Sequence, residues 1–220
     1  MKIGVLPLLA LLAVPAHAED RWQAGVGLNM VSSDHETYES SNSFTRVQRE
    51  NKTTPTLFVG YRVLDFANDS NLSVTGEYQF QSRFKTTLSR SGAANQFTTM
   101  KTEFFAPGVQ WNFQKAVDFG VGLQYRFTSI KGPVYDAAGD FTGGTQSTTY
   151  DRPWIHAYVG HTFTDSGPVK PFMALRMATL VGSTSAPKLA SDLQNEGGQK
   201  RLMRALAPTW EVSLQAGVRF

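Results

Sequence analysis

The chain has no cysteine. That excludes disulfides, a thiolate metal site and the lipid-modified cysteine of a lipoprotein. Histidine is scarce: four residues, none at metal-ligand spacing. Charge is low and nearly balanced, 21 Lys+Arg against 18 Asp+Glu, without a basic stripe interleaved with aromatics, so nucleic acid is not an expected partner. No P-loop and no glycine-rich dinucleotide motif ahead of a helix is present, and no cofactor is expected. Beyond residue 18 no apolar run nears the roughly 20 residues of a membrane-crossing helix.

What the chain does have starts with its first 18 residues. Met1-Lys2 precedes an apolar run from Ile3 to Val14, and Ala16-His17-Ala18 follows. A charged start, a short apolar core and an A-x-A site make a secretory signal peptide. Cleavage is expected after Ala18, leaving residues 19–220 as one mature domain. The aromatic content is high, with 15 Phe, 7 Tyr and 4 Trp, alongside 19 Gly.

The last eleven residues carry the clearest pattern. Trp210, Val212, Leu214, Ala216, Val218 and Phe220 alternate with Glu211, Ser213, Gln215, Gly217 and Arg219. This is a period-two strand with aromatics at both ends. Seven more segments alternate in the same way, near residues 21–30, 54–63, 72–80, 102–113, 119–127, 152–163 and 170–180. In the sixth, the preferred register turns Ile155, Ala157, Val159 and Phe163 outward, although the pattern also allows the opposite one. Pro107 interrupts the fourth and predicts an irregularity or bulge there. The connections alternate long and short: residues 31–53, 82–101, 129–150 and 181–207 read as long loops, and the turns near 65–70, 114–117 and 165–168 are short. In the last long loop, Lys188–Asn195 and Gln199–Ala207 could each form a helical turn or two, parted by Gly197-Gly198.

Loops sorted by length onto two ends, with about five apolar residues per strand face, match a barrel that crosses the outer membrane. The fold class is therefore all-β, an eight-stranded antiparallel up-and-down transmembrane β-barrel. The mean hydropathy of −0.26 is no objection, because only alternate residues face lipid. The signal peptide, the eight alternating strands and the terminal Phe220 make the mature chain resemble the small outer-membrane barrel families typified by OmpA, OmpX and OmpW. The resemblance implies a bacterial outer-membrane location and assembly by the barrel-assembly machinery through the C-terminal strand. A monomer is expected.

An eight-stranded barrel is narrow enough for side chains to fill. Parity points Arg62, Glu77, Arg126, Arg176, Glu211 and Arg219 inward, with Glu77–Arg176 and Glu211–Arg126 as expected pairs, because charges in a lumen must be paired or hydrated. Such a network is either a static polar plug, the preferred reading, or a gate over a narrow pore. Paired glycines, Gly25 with Gly27 and Gly120 with Gly122, read as space in a crowded interior. In the long loops Arg83, Lys85, Arg90 and Lys101, with Lys188, Lys200, Arg201 and Arg204, can meet lipopolysaccharide phosphates.

The expected role is structural or interactive at the cell surface. The alternatives are passive passage of small or hydrophobic solutes, which a gap beside Pro107 would favour, and an adhesin. Some eight-stranded barrels modify lipid A with a His, a Ser and a carboxylate, since the Ser hydroxyl must lose its proton to a base. Here His156 and His161 are not followed by a Ser two residues on. His35 lies in a long loop while Asp69-Ser70 and Asp165-Ser166 lie in short turns at the other end. No enzyme activity is expected.

Overall fold

The computed structural model describes residues 21–31, 44–49, 53–66, 69–90, 96–114, 117–135, 141–163, 167–182, 196–205 and 207–220. The signal peptide, His35, Asp165-Ser166 and Lys188 lie outside them. The elements are β1 (Trp22–Val31), β2 (Phe44–Arg49), β3 (Thr53–Phe66), β4 (Ser70–Arg90), β5 (Gln96–Gln114), β6 (Asp118–Tyr135), β7 (Phe141–Thr162), β8 (Lys170–Leu180), α1 (Glu196–Ala205) and β9 (Trp210–Arg219).

Eight strands form an antiparallel ring in the order β1, β3, β4, β5, β6, β7, β8, β9 and back to β1. The seam is closed by the chain ends. Trp22 donates its N–H to the Phe220 carbonyl at 2.8 Å, and Phe220 donates to Trp22 at 2.9 Å. Closure removes every free edge within the apolar zone, where an unpaired backbone group would cost several kcal/mol. Val26, Leu28, Val74, Val109, Leu123, Ile155, Leu175 and Leu214 are exposed around the outside. Their neighbours in sequence, such as Asn29, Gln110, Gln124 and Ser213, are buried inside. The sixth alternating segment takes the preferred register: Ile155 and Val159 face out, while Trp154, His156 and Tyr158 are buried. No helix of the described residues is long and apolar enough to cross a membrane; the crossing is made by strands.

The strands are unequal. β1, β8 and β9 have 10, 11 and 10 residues, close to the about 9–11 that span a membrane when tilted. β4, β5, β6 and β7 have 21, 19, 18 and 22. They continue well past the apolar belt at the end opposite the chain termini. Much of residues 82–101 and 129–150, expected as loop, is therefore strand. The region expected as the first long loop holds β2, which pairs with Thr86–Arg90 of β4. β2 extends β3 in the same register, because Arg49 faces Thr86 and Thr56 faces Gln79 after equal steps on both strands. The reason the pattern hid these extensions is physical. Above the lipid the outer face meets water while the inner face buries apolar and polar residues alike, Met100 and Ile130 with Thr102 and Thr148. Alternation in polarity therefore stops while the β-branched residues that favour extended chain persist, as in Thr86–Thr87, Thr98–Thr99 and Thr148–Thr149.

Pro107 brings an irregularity rather than a bulge: it keeps its place opposite Gly76, and the register shift of that hairpin falls between Gln79 and Ser82. On its other side the β5–β6 ladder lacks pairings at Ala106 and Pro107 but resumes unshifted at Gly108 opposite Gln124. Proline has no N–H to give, so rungs are lost without separating the strands. The helix in the last long loop, Glu196–Ala205, takes in Gly197-Gly198 in its first turn. The other expected helical turn, Lys188–Asn195, lies outside the described residues.

A sealed lumen and its capped mouth

The interior charges converge on Glu211. Its carboxylate accepts two hydrogen bonds from Arg126, Nη1 to Oε2 at 2.9 Å and Nη2 to Oε1. Arg176 Nη1 lies 3.1 Å from Glu211 Oε1. The same guanidinium reaches Glu77 at 3.1 Å and donates to Gln124 Oε1 at 2.5 Å. Asn29 Nδ2 donates to Glu211 Oε2 at 3.4 Å. β1, β4, β6, β8 and β9 are thus tied across the lumen. The Arg126 guanidinium is also sandwiched, 4.2 Å from the Phe104 ring centroid and 3.8 Å from that of Trp154. Glu211 is 1 % and Arg126 2 % exposed, so this pair fills the bore at its level.

A second cluster closes the end near the short turns. Arg219 Nη1 is 2.9 Å from Asp118 Oδ2, and Thr162 donates to the same carboxylate oxygen. Between the two clusters runs a neutral chain: His156 Nε2 meets Gln110 Oε1 at 3.0 Å, and both Gln110 and the Tyr158 hydroxyl donate to Asn112 Oδ1. Gly120 and Gly122 make room for these side chains. A Cβ on Gly120 would lie 2.2 Å from the Tyr158 ring, and one on Gly122 2.6 Å from the His156 ring. A cavity of about 40 Å³ remains beside Gln124, His156 and Arg176, enough for about three waters.

The structure brings Glu77, Arg126, Arg176 and Glu211 together in one network and places Arg219 in the second cluster. Arg62 joins neither. Its Nε pairs with Asp65 three residues on, and its side chain lines a small pocket at the end near the short turns with Gln23, Asn71, Ser73 and Arg219. Parity also covered Asp118, which sequence reasoning missed by starting its strand one residue later. His156, Tyr158 and the Asn112 amide chain carried no charge signal. The capping role of α1 had none either.

α1 lies over the far mouth. Gly198, Gln199, Leu202 and Met203 are its buried face. Met203 packs into a notch over Gly132, where a Cβ would meet its Sδ at 2.8 Å and Met100 Cε at 3.4 Å. Ile130 and Met100 are fully buried beneath. Gln146 Nε2 donates to Gln199 Oε1 at 2.9 Å, and Arg204 Nη2 donates to the Thr149 carbonyl at 3.0 Å. Two glycines in the first turn of a helix cost about 1 kcal/mol each, so this packing is what holds α1 in place. Lys200 pairs with Glu196 on the solvent side and holds its carboxyl below the usual range.

The cations expected at lipopolysaccharide divide. Arg83 and Lys101 occupy paired positions on β4 and β5, and Lys101 is paired in turn with Lys131 of β6. The three form an outward row, two rungs beyond the Phe105–Phe127 pair of the apolar belt. Arg201 is exposed on α1. Arg204 turns inward instead, because the Thr148 hydroxyl and Thr149 carbonyl of β7 accept its hydrogen bonds. The side chains of Lys85 and Arg90 lie outside the described residues.

A lipid-facing ring of strands around a polar, side-chain-filled interior defines an outer-membrane β-barrel. The chain belongs to the outer membrane protein beta-barrel domain family, whose model matches residues 4–167, and it resides in the Gram-negative outer membrane. No curated protein sequence matches it. Among solved structures it is similar to OprG of Pseudomonas aeruginosa, at 13 % identity over 90 % of this chain and 92 % of that one, with a TM-score of 0.48. It is also similar to Neisserial surface protein A, at 15 % identity over 91 % and 96 %, TM-score 0.45, and to Ail of Yersinia pestis, at 12 % over 91 % and 97 %, TM-score 0.42.

Glu211→Gln leaves buried Arg126 without a carboxylate and Arg176 with Glu77 alone, and should cost about 3–5 kcal/mol in urea unfolding from lipid vesicles, whereas Glu77→Gln, which leaves both arginines their Glu211 partner, should cost distinctly less. Equal losses would contradict the central place given to Glu211. Gly132→Val should displace α1 without opening the ring. Hydrogen exchange across residues 196–205 would then accelerate while β1 and β9 stay protected, and unchanged α1 protection would refute the notch.

Proposed function

We propose that the mature chain, residues 19–220 after removal of a signal peptide over 1–18, is a monomeric, non-conducting barrel of the bacterial surface. Its role is structural and interactive. The observation that carries this reading is the Arg126–Glu211–Arg176 bridge, buried and braced at Arg126 by two aromatic rings, beneath a mouth covered by α1. A pore needs a continuous wet path, and this level has none. The charges act as a static plug rather than a gate. Strands β4–β7, carried far beyond the apolar belt, give a stiff platform on which external partners could be met. No catalytic step belongs to this reading: His156 is committed to Gln110 inside the lumen, and His161 stacks on Phe163.

The outward row Arg83–Lys101–Lys131 supports lipopolysaccharide as the lateral partner. Like charges directly opposite one another on a sheet face repel. Here the row lies just beyond the aromatic limit of the belt, where the phosphates of the outer leaflet supply the compensating charge. Assembly would proceed through the C-terminal strand, whose last residue closes the seam.

In a planar bilayer the purified protein should give no discrete current steps at either polarity, and stable unitary openings would overturn the plug. Replacing Arg83, Lys101 and Lys131 together by Gln should lower the lipopolysaccharide retained on purification by roughly tenfold, as native mass spectrometry would read it. Retention equal to wild type would remove the row from lipid contact.

A further inference from the structure

The ion pairs of the barrel interior balance: Arg126, Arg176 and Arg219 meet Glu77, Glu211 and Asp118. Two arginines at the mouth stand outside that balance. Arg152 is paired directly opposite Arg126 on the inner face. The two like charges lean apart. Arg126 turns down onto the Trp154 ring and to Glu211, and Arg152 turns up, with its guanidinium carbon 5.0 Å from the Tyr150 ring centroid. From the other side Arg204 of α1 reaches the Thr148 hydroxyl at 3.4 Å and the Thr149 carbonyl at 3.0 Å. Thr148, Tyr150 and Arg152 follow one another on the inner face of β7, so Arg204 at Thr148 and Arg152 at the Tyr150 ring stand at neighbouring inner positions. Among the described residues neither has a carboxylate partner. Arg152 Nη1 and Arg204 Nε are buried without an acceptor. Arg126 and Arg219 also leave Nε unbonded, but each of those is neutralised by a carboxylate.

Two half-buried guanidinium groups without counter-charge are costly unless an anion joins them. The fork geometry of arginine suits tetrahedral oxyanions, whose oxygens can each take a charge-assisted hydrogen bond. We infer that the mouth beneath α1 is an oxyanion site, in which Arg152 and Arg204 hold one phosphate or sulfate group, free or esterified to a surface sugar, against Tyr150. The site stands above the Glu211 plug and does not depend on whether the lumen conducts. It also differs from the outward lysine and arginine row, which faces lipid rather than the mouth.

The test uses the full mature protein in zwitterionic micelles at constant ionic strength. Sulfate, inorganic phosphate and glucose 6-phosphate are each titrated against chloride, with the unfolding temperature and the heat of binding as readouts. The tetrahedral oxyanions should give a saturable rise in Tm that chloride does not. Arg152→Gln and Arg204→Gln should each weaken that binding by about tenfold or more. Tighter binding of the sugar ester than of inorganic phosphate assigns the source to a surface saccharide, and the reverse order assigns it to the free ion. Both orders uphold the site. Absence of saturation by all three anions in the wild-type protein overturns it, as does saturation that survives in both variants. Should Arg152→Gln fail to fold, Arg204→Gln on the external helix decides alone.

Discussion

The structure depends on one buried carboxylate. Glu211 is on the closing strand, and without its partners the lumen would hold a bare anion in a low-dielectric space, which folding does not tolerate. Arg126 and Arg176 reach it from β6 and β8, and Arg176 carries the connection on to Glu77 of β4. The order of events this implies is simple. A strand pair can form on its own, but Glu211 has its full set of partners only when the ring has closed. The polar interior therefore rewards closure specifically, which the lipid-facing residues do not, since Leu28 or Leu214 is equally content in lipid whether or not the seam is made.

That division explains why the exterior was so readable. Lipid demands an apolar residue at every second position for the length of the belt, and the eight alternating segments, their inward set and the sorting of short turns to one end all follow from it. The pairs Glu77–Arg176 and Glu211–Arg126 could be anticipated from parity and approximate height alone. What lay beyond that logic is what does not touch lipid. Thr148 and Thr149 are strand because they pair with Ile130 and Ser129, not because of any polarity pattern. α1 was half visible, yet Gly197-Gly198 looked like a break because the packing of Leu202 and Met203 that overrides their weak propensity is tertiary. Arg62 sits beside Arg219 as parity implies, but its carboxylate partner is Asp65 of its own strand, which parity does not give.

The filled interior also limits which functions the fold can host. A ring of eight strands has a fixed and small bore. Here the bore is occupied by Phe104, Trp154, Tyr158 and Phe172 as well as by the charges, and Gly120 and Gly122 are glycine because those rings need the volume. Enlarging the passage would require removing side chains that brace the salt bridges, so permeation and stability compete for the same residues. The surface beyond the membrane carries no such conflict. Among the described residues, β4–β7 and β2, which continues β3, rise beyond the belt, and α1 lies over the mouth against β6 and β7.

Charge follows the same vertical order. The described interior ion pairs cancel within the belt, where an unpaired charge is most costly. Among the described residues positive charge gathers above it, at Arg152 and Arg204 inside the mouth and at Arg83, Lys101 and Lys131 on the outer face, where Glu103 offsets one charge of three. Asp151 accepts from Tyr125, and Glu196 pairs with Lys200. An excess of one sign placed where water begins weakens the fold through self-repulsion unless anions offset it. The leaflet outside the barrel offers such anions to the outer row, and the mouth must take its own from solution or from the cell surface. The end of the protein that faces the environment is thus built to meet negative charge, while the part inside the membrane is built to need none.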